Sequence, residues 1–282
     1  MAGSLYVVST PIGNLDDITV RALNTLKSVA LVAAEDTRRT GLLLRHFGIS
    51  TPTTSLHEHN EAEKLPSLLQ KLADGLDIAL VSDAGTPLVA DPGQRLLAGA
   101  IEHGIRVIPI PGPSAIMTAL AASGYPADEF VFAGFAPPRS NDRKTWLERL
   151  SGEPRTVVFF ETPHRIEKTL TEIAAILGDR PITIARELTK IHEEFIRSRA
   201  RDASGLKIQE RGEFTVVLAP HSEPAAQAQP VGDAELTSYF RRMTDSGELS
   251  RREAVVATAN KFGLSPNDVY ARLERLKPSA PS

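Results

Sequence analysis

Short apolar runs recur along the first half of the chain at residues 5–9, 29–33, 78–81 and 106–110, each closed by a polar loop. Between them the apolar positions shift to helical spacing, at residues 20–26, 37–47, 61–72, 94–102 and from Ser114 to Ala122. The 37–47 segment is apolar at Leu42, Leu43, Leu44 and Phe47 and stops at Gly48. Strands alternating with helices predict a parallel, doubly wound sheet. Ser123-Gly124-Tyr125-Pro126 breaks the pattern and predicts a boundary. Beyond it, strands are expected at 130–133, 156–160, 182–186, 194–199 and 214–218, and helices at 142–150, 164–177 and 202–209. Several of these strands follow one another with no helix between, so the second sheet should be mixed. Residues 222–232 are rich in Ala, Gln and Pro and read as a linker. From 233 to 277 the pattern is helical, with a capping box at Ser250 and Glu253, a stop at Gly263 and a fresh start at Ser265-Pro266. The expected fold is α/β: domains over 1–122 and 123–221, a linker, and a helical extension over 233–282.

Four loops follow predicted strands of the first sheet: Pro11 to Thr19, Ala34 to Arg38, Ser82 to Pro87 and Pro111 to Ala115. Ligands of open α/β sheets bind outside the carboxyl ends of the strands. Four such loops from distant parts of the chain therefore describe one small-molecule site. Taken singly, each loop also reads as an ordinary turn or helix entry.

Composition narrows the chemistry. The 282 residues carry a net charge of −3, so no global basic field announces a nucleic-acid partner, although a local patch would suffice. There is no cysteine, which excludes disulfides, thiolate catalysis and zinc–thiolate sites and is compatible with a reducing compartment. The start of the chain reads as a strand rather than a secretory signal, and no 18-residue apolar run suggests a membrane span. Neither Gly-x-Gly nor a Walker sequence occurs, which disfavours dinucleotide and P-loop sites. His57 and His59 form a loop pair better read as surface than as a metal site.

The ordered strings TPIGNLDDITVRAL, AAEDTR, VSDAGTPLVADPG, PGPSA, FAGFAPP, FFETPHRI and ARELTKIHEEF make a specific set. From Ser4 to about Ala219 the chain resembles the tetrapyrrole methylase superfamily. Within it, the resemblance is to bacterial enzymes that methylate the ribose 2′-oxygen of a 16S ribosomal RNA cytidine in the decoding centre. It implies a two-domain α/β fold, a homodimer, a cytoplasmic enzyme, and S-adenosylmethionine (SAM) folded into the interdomain cleft with no metal. Carried onto this sequence, the cofactor loop is Ala84 to Val89, with Gly85 and Thr86 at its centre. Pro11, Ser114, Ala115 and the strand end at Phe160-Glu161 approach the same ligand. Many corrin-making relatives have an acid where Thr86 stands, which fits an RNA substrate better than a porphyrinoid one.

A protonated ribose hydroxyl is a poor nucleophile, and a general base typically contributes about 10²–10⁴ in rate. Glu187 and Lys190 are the first candidates, as base and electrostatic partner, followed by Asp17, Glu35 and Asp36. Lys190 could act as base only if desolvation lowers its pKa. For RNA contacts, Arg197, Arg199 and Arg201 alternate and would share one face of a strand, while Arg139, Arg143 and Lys144 form a second basic cluster. The tail, with Arg241-Arg242 and Arg251-Arg252, suits either a helix-turn-helix or a capping hairpin. A tetrapyrrole or diphthine-type methylase, or a non-catalytic ribosome-binding factor, are the other readings open here.

Overall fold

The computed structural model describes residues 2–221, 232–245, 249–262 and 264–276. These fall into two compact units, divided between His221 and Ser222. The predicted linker, apart from Gly232, and the stop at Gly263 lie outside the described residues.

The first sheet contains β1 (Ser4–Val8), β2 (Leu31–Ala34), β3 (Thr53–Ser55), β4 (Ile78–Val81) and β5 (Arg106–Ile110), in spatial order β3-β2-β4-β1-β5. Every pairing is parallel. β4 is buried at all four positions, as expected of a central strand covered by helices on both faces. The covering helices are α1 (Val20–Ser28), α2 (Thr37–His46), α3 (Glu61–Ala73) and α4 (Gln94–Glu102), and α5 (Ala115–Ser123) follows β5. One apolar layer joins α1 and α2 to one side of the sheet through Leu26, Leu44 and Val8. A second joins α3 and α4 to the other through Leu68, Leu96 and Leu80. β3 escapes sequence detection because its three residues, Thr53, Thr54 and Ser55, are polar and half-buried at the sheet edge.

The second sheet is β6 (Phe130–Phe135), β7 (Thr156–Glu161), β8 (Pro181–Arg186), β9 (Glu194–Arg199) and β10 (Phe214–Leu218), in order β6-β7-β10-β8-β9. β6 and β7 are parallel and the other pairs antiparallel, so the sheet is mixed. α6 (Ser140–Ser151) and α7 (Ile166–Ile176) cover one face around Phe159, Leu147 and Ile173. The opposite face packs on α5: Ile116, Ala119 and Leu120 meet Val158, Ala185 and Val217, with Ile12 and Leu188 in the same layer. α5, which follows the last strand of the first sheet, therefore covers the second sheet, and Ala115 and Ile116 at its start line the cleft.

One predicted helix is wrong. Residues 202–209 do not form an α-helix; a 3-10 segment, Ala200–Gly205, stands there instead. Ala200 and Ala203 are its buried positions, and a three-residue repeat eclipses them on one side, as 3-10 geometry requires.

In the second unit, α8 (Asp233–Asp245), α9 (Arg251–Phe262) and α10 (Pro266–Arg275) share a core of Leu236, Val255, Ala259, Val269 and Leu273. The capping box forms: Ser250 Oγ and backbone N–H both donate to Glu253 Oε2, at 2.7 and 2.8 Å. Ser265 caps α10 by accepting from the Asp268 N–H.

Candidate active site

A cleft of about 370 Å³ lies outside the carboxyl ends of β1, β2 and β4, between them and the second sheet. Its size falls within the range of small-molecule sites. Ala84, Gly85, Thr86, Val89, Ser114, Ala115 and Phe160 all line it. Pro11 does not; it lines an adjoining depression, and its neighbour Ile12 faces the cleft.

The 82–93 loop is held in a costly shape. Gly85 has φ +78°, and Leu88 and Ala90 have φ +75° and +67° although they carry β-carbons. Left-handed backbone at such residues costs about 1–3 kcal/mol each and persists only where surroundings over-determine it. Here Thr10 and Gly85 exchange backbone hydrogen bonds of 2.8 and 3.0 Å, and the Leu88 side chain packs against the sheet core. Thr86 Oγ1 lies 3.0 Å from Ser9 Oγ. The loop is thereby fixed at the wall of the cleft. Ser114 caps α5, its Oγ accepting from the Met117 N–H. Phe160 meets Phe132 and Phe135 edge-on or tilted at 5.0 and 5.3 Å. Glu161 accepts from Thr169 Oγ1 at 2.6 Å and pairs with Arg165 at 2.8 Å, which anchors that wall.

Acids gather at the β2–β4 end. Glu35, Asp83 and Asp91 all line the cleft, with Arg39 beside Asp83 at 3.3 Å. The Asp83 N–H donates to Glu35 Oε2, and Asp83 Oδ1 accepts from the Asp36 N–H. Burial pushes the Glu35 carboxyl above its ordinary value, with the Asp83 charge adding to it. Burial also raises Asp91, to about 6, assisted by Glu35 and Asp83 and opposed by a hydrogen bond from Ser82. Asp36, by contrast, is occupied structurally: it caps α2 and binds Arg38, whose hydrogen bonds hold it well below the carboxylate range. Such an end favours a bound cation. A sulfonium nucleoside fits: acids for its charge, Ile12, Ile116, Val89 and Phe160 for an apolar ring, and loop backbone for its polar groups.

Sequence reading missed Asp83, Asp91 and Arg39. Asp91 precedes Pro92-Gly93 and reads as a turn; only the folded loop turns it inwards. Asp83 directly follows Ser82 at a strand end, and that was the available signal.

Glu187 and Lys190 lie outside the cleft lining, in the β8–β9 connection, where Glu187 and Thr189 adopt φ +51° and +64°. Lys190 Nζ pairs with Glu187 at 2.8 Å and Glu213 at 3.2 Å. Burial raises the Glu187 carboxyl, but the Lys190 ammonium and a backbone N–H from Glu213 outweigh it, and its pKa falls. Burial likewise depresses Lys190 less than its two carboxylates raise it. Lys190 is thus a stable cation, not a neutral base, and the condition set for its acting as one is not met. Asp17 is exposed in a 3-10 turn and does not line the cleft.

The basic clusters need correction too. Arg143 is buried, its side chain 3% exposed, with Nε 2.6 Å from Glu172 and further bonds to the Pro137 and Pro138 carbonyls. It is an internal ion pair and cannot meet RNA, whereas Arg139 and Lys144 are exposed. Arg197 and Arg199 share a face of β9, but Arg201 lies past its end, in the 3-10 segment. Arg197 donates to the Ala122 carbonyl, and Arg199 and Arg201 both pair with Asp179, at 3.5 and 2.8 Å.

Residues 4–204 match the family model described as Tetrapyrrole (Corrin/Porphyrin) Methylases. The chain belongs to the tetrapyrrole methylase family. Ribosomal RNA small subunit methyltransferase I of Escherichia coli O157:H7 is 44% identical over 273 residues, covering 95% of this chain and 93% of that protein. The protein of the same name from Halalkalibacterium halodurans is 47% identical over 271 residues, covering 95% and 93%. Among solved structures, uroporphyrin-III C-methyltransferase from Thermus thermophilus complexed with S-adenosyl homocysteine superposes with a TM-score of 0.55 at 18% identity, covering 77% of this chain and 97% of that one. Among the described residues of this tetrapyrrole methylase, no helix is long and apolar enough to cross a membrane, and no group of three or more His, Cys, Asp or Glu could hold a metal ion.

Proposed function

We propose that this chain methylates small-subunit ribosomal RNA, transferring the methyl group of SAM to the ribose 2′-oxygen of a cytidine in the decoding centre of 16S RNA. The observation that carries the reading is 44–47% identity, over 95% of the chain, to proteins named for methylation of small-subunit ribosomal RNA. The methyl donor is SAM, which when bound supplies an electrophilic methyl carbon on a sulfonium. The proposal includes a cytoplasmic homodimer, as the resemblance of the sequence strings implies.

The protein's task is mainly positioning. Gly85, Thr86 and Val89 on one side, Ser114, Ala115 and Phe160 on the other, hold the donor. Glu35, Asp83 and Asp91 stabilise its positive charge. Asp91, whose carboxyl burial raises to about 6, can receive the proton that the attacking hydroxyl releases. Glu187 and Lys190 act outside the cleft, as a fixed ion pair that shapes the 187–190 connection. Arg139, Lys144, Arg197, Arg199 and Arg201 remain peripheral RNA contacts.

The test is transfer of labelled methyl from SAM to small subunits isolated from cells lacking this gene, followed by nuclease mapping. Label on a ribose 2′-oxygen of 16S RNA is expected. Tight SAM binding with no transfer to particles or naked RNA would overturn the reading.

A further inference from the structure

The cleft does not end at its acids. Through Arg39 and Asp83 it continues into a depression of about 340 Å³ beside α2, and through Leu15 and His46 into a third of about 720 Å³ under residues 189–192. Shared lining residues make these three one trough.

The trough is electrostatically graded. Glu35, Asp83 and Asp91 lie at the cleft end. Further out, one wall is α2, which carries no acid and lines the trough with Arg39 and His46 as its basic groups. Arg39, Leu42, Leu43 and His46 recur at helical spacing on the face it turns to the trough. Lys190 and His192 stand at the far end, facing Asp16 on the rim of the first loop. Asp83 is matched by Arg39. Apolar side chains lie open along the same path: Leu15 is 37% exposed, Leu42 62% and Ile191 98%.

We infer that this trough is the track of a single-stranded RNA segment flanking the methylated nucleotide, with phosphates along α2 and at Lys190, and bases against Leu15, Leu42 and Ile191. The inference rests on the proposed RNA substrate. A nucleotide reacting in a recessed cleft must leave its stack, so the chain entering and leaving it is single-stranded there. Exposed apolar faces interleaved with cations are what unstacked bases and phosphates require. The arginines of β9 lie off this path, since Arg197 and Arg199 line none of the three depressions.

Two full-length variants test it, Leu42→Glu and His46→Glu, both at exposed positions outside the donor cleft. In single-turnover methylation of unmethylated small subunits, each should raise the half-saturating particle concentration at least tenfold. The limiting rate and the SAM Kd, by calorimetry, should stay within twofold. Separately, 16S RNA carrying 4-thiouridine near its target should crosslink to α2 and to residues 189–192 of the wild-type protein. Unchanged half-saturation in folded variants, crosslinks confined to residues 197–201, or a ribosomal protein crosslinked to the trough would each overturn the track. If the wild type methylates no ribosomal RNA, the functional reading fails by itself, and the RNA crosslinks still decide the track.

Discussion

The backbone N–H of Asn14 donates to Thr189 Oγ1 at 3.0 Å, joining residues 175 positions apart. This contact stitches the first loop of one sheet to the β8–β9 connection of the other, and Gly13 permits it. A β-carbon at Gly13 would lie 2.5 Å from Lys190 Cγ, 2.7 Å from Thr189 Oγ1 and 2.8 Å from the Leu188 carbonyl. Gly13→Ala should therefore cost about 1–3 kcal/mol, as overpacking does. Thr189→Val should cost about 1 kcal/mol or less. The two should be non-additive in a denaturation double-mutant cycle, because the alanine already pushes the partners apart; strict additivity would show that the loops do not share this contact.

Asp91 makes stability and donor binding pull in opposite directions with pH. Its folded pKa, about 6, lies above the ordinary 3.8, so the folded state holds its proton more tightly than the unfolded chain does. That contribution to stability is full below pH of about 4 and is lost as the pH rises through about 6. Asp91→Asn should then stabilise the protein at pH 7.5, by about 1 kcal/mol once partial exposure is allowed for, or about 2–4 °C in Tm, with no gain at pH 4. SAM affinity should move the other way. In the wild type it should weaken by up to about tenfold per pH unit below 6, whereas the asparagine variant should bind weakly and without that dependence. Calorimetry between pH 5 and 8 reads both.

Arg143 and Glu172 form an ion pair sealed in the second sheet's helical layer. Removing one partner of such a pair leaves an uncompensated buried charge and costs about 3–5 kcal/mol. Arg143→Met should lower Tm by about 10 °C. Arg139→Glu and Lys144→Glu, on the same helix region but exposed, should leave Tm within about 2 °C. Equal thermal stability for all three would contradict the burial of Arg143.

Gly85 combines φ +78° with a β-carbon site 3.5 Å from Ile12 Cγ2. A β-branched residue is strained in that backbone region. Gly85→Val should weaken SAM binding at least tenfold, and methyl transfer and cellular phenotype should fall in step with it. Loss of SAM binding with the phenotype intact would instead indicate a ribosome-binding factor that does not need catalysis.

Much of the scaffold was legible in local pattern. The alternation of strands and helices from β1 to α5, β3 apart, and the mixed second sheet follow from periodicity, because apolar spacing reports which face of each element is covered. The loops at strand ends were legible for the same reason. β3 and the 3-10 segment were not, since one is polar and the other obeys a three-residue repeat too short to read.

What the sequence by itself determined was most of the elements, the loops that meet at the cleft, and the family strings that point to a methyl donor. Only tertiary structure decided what each charge does. Arg143 turned inwards to Glu172, Lys190 was held protonated by Glu187 and Glu213, and Asp91 and Asp83 of the β4 loop came beside Glu35 from the end of β2. The physical reason is that protonation, pairing and burial depend on atoms within a few ångströms in space, and several of those atoms, such as Glu172 for Arg143, Glu213 for Lys190 and Glu35 for Asp91, lie more than twenty residues away along the chain.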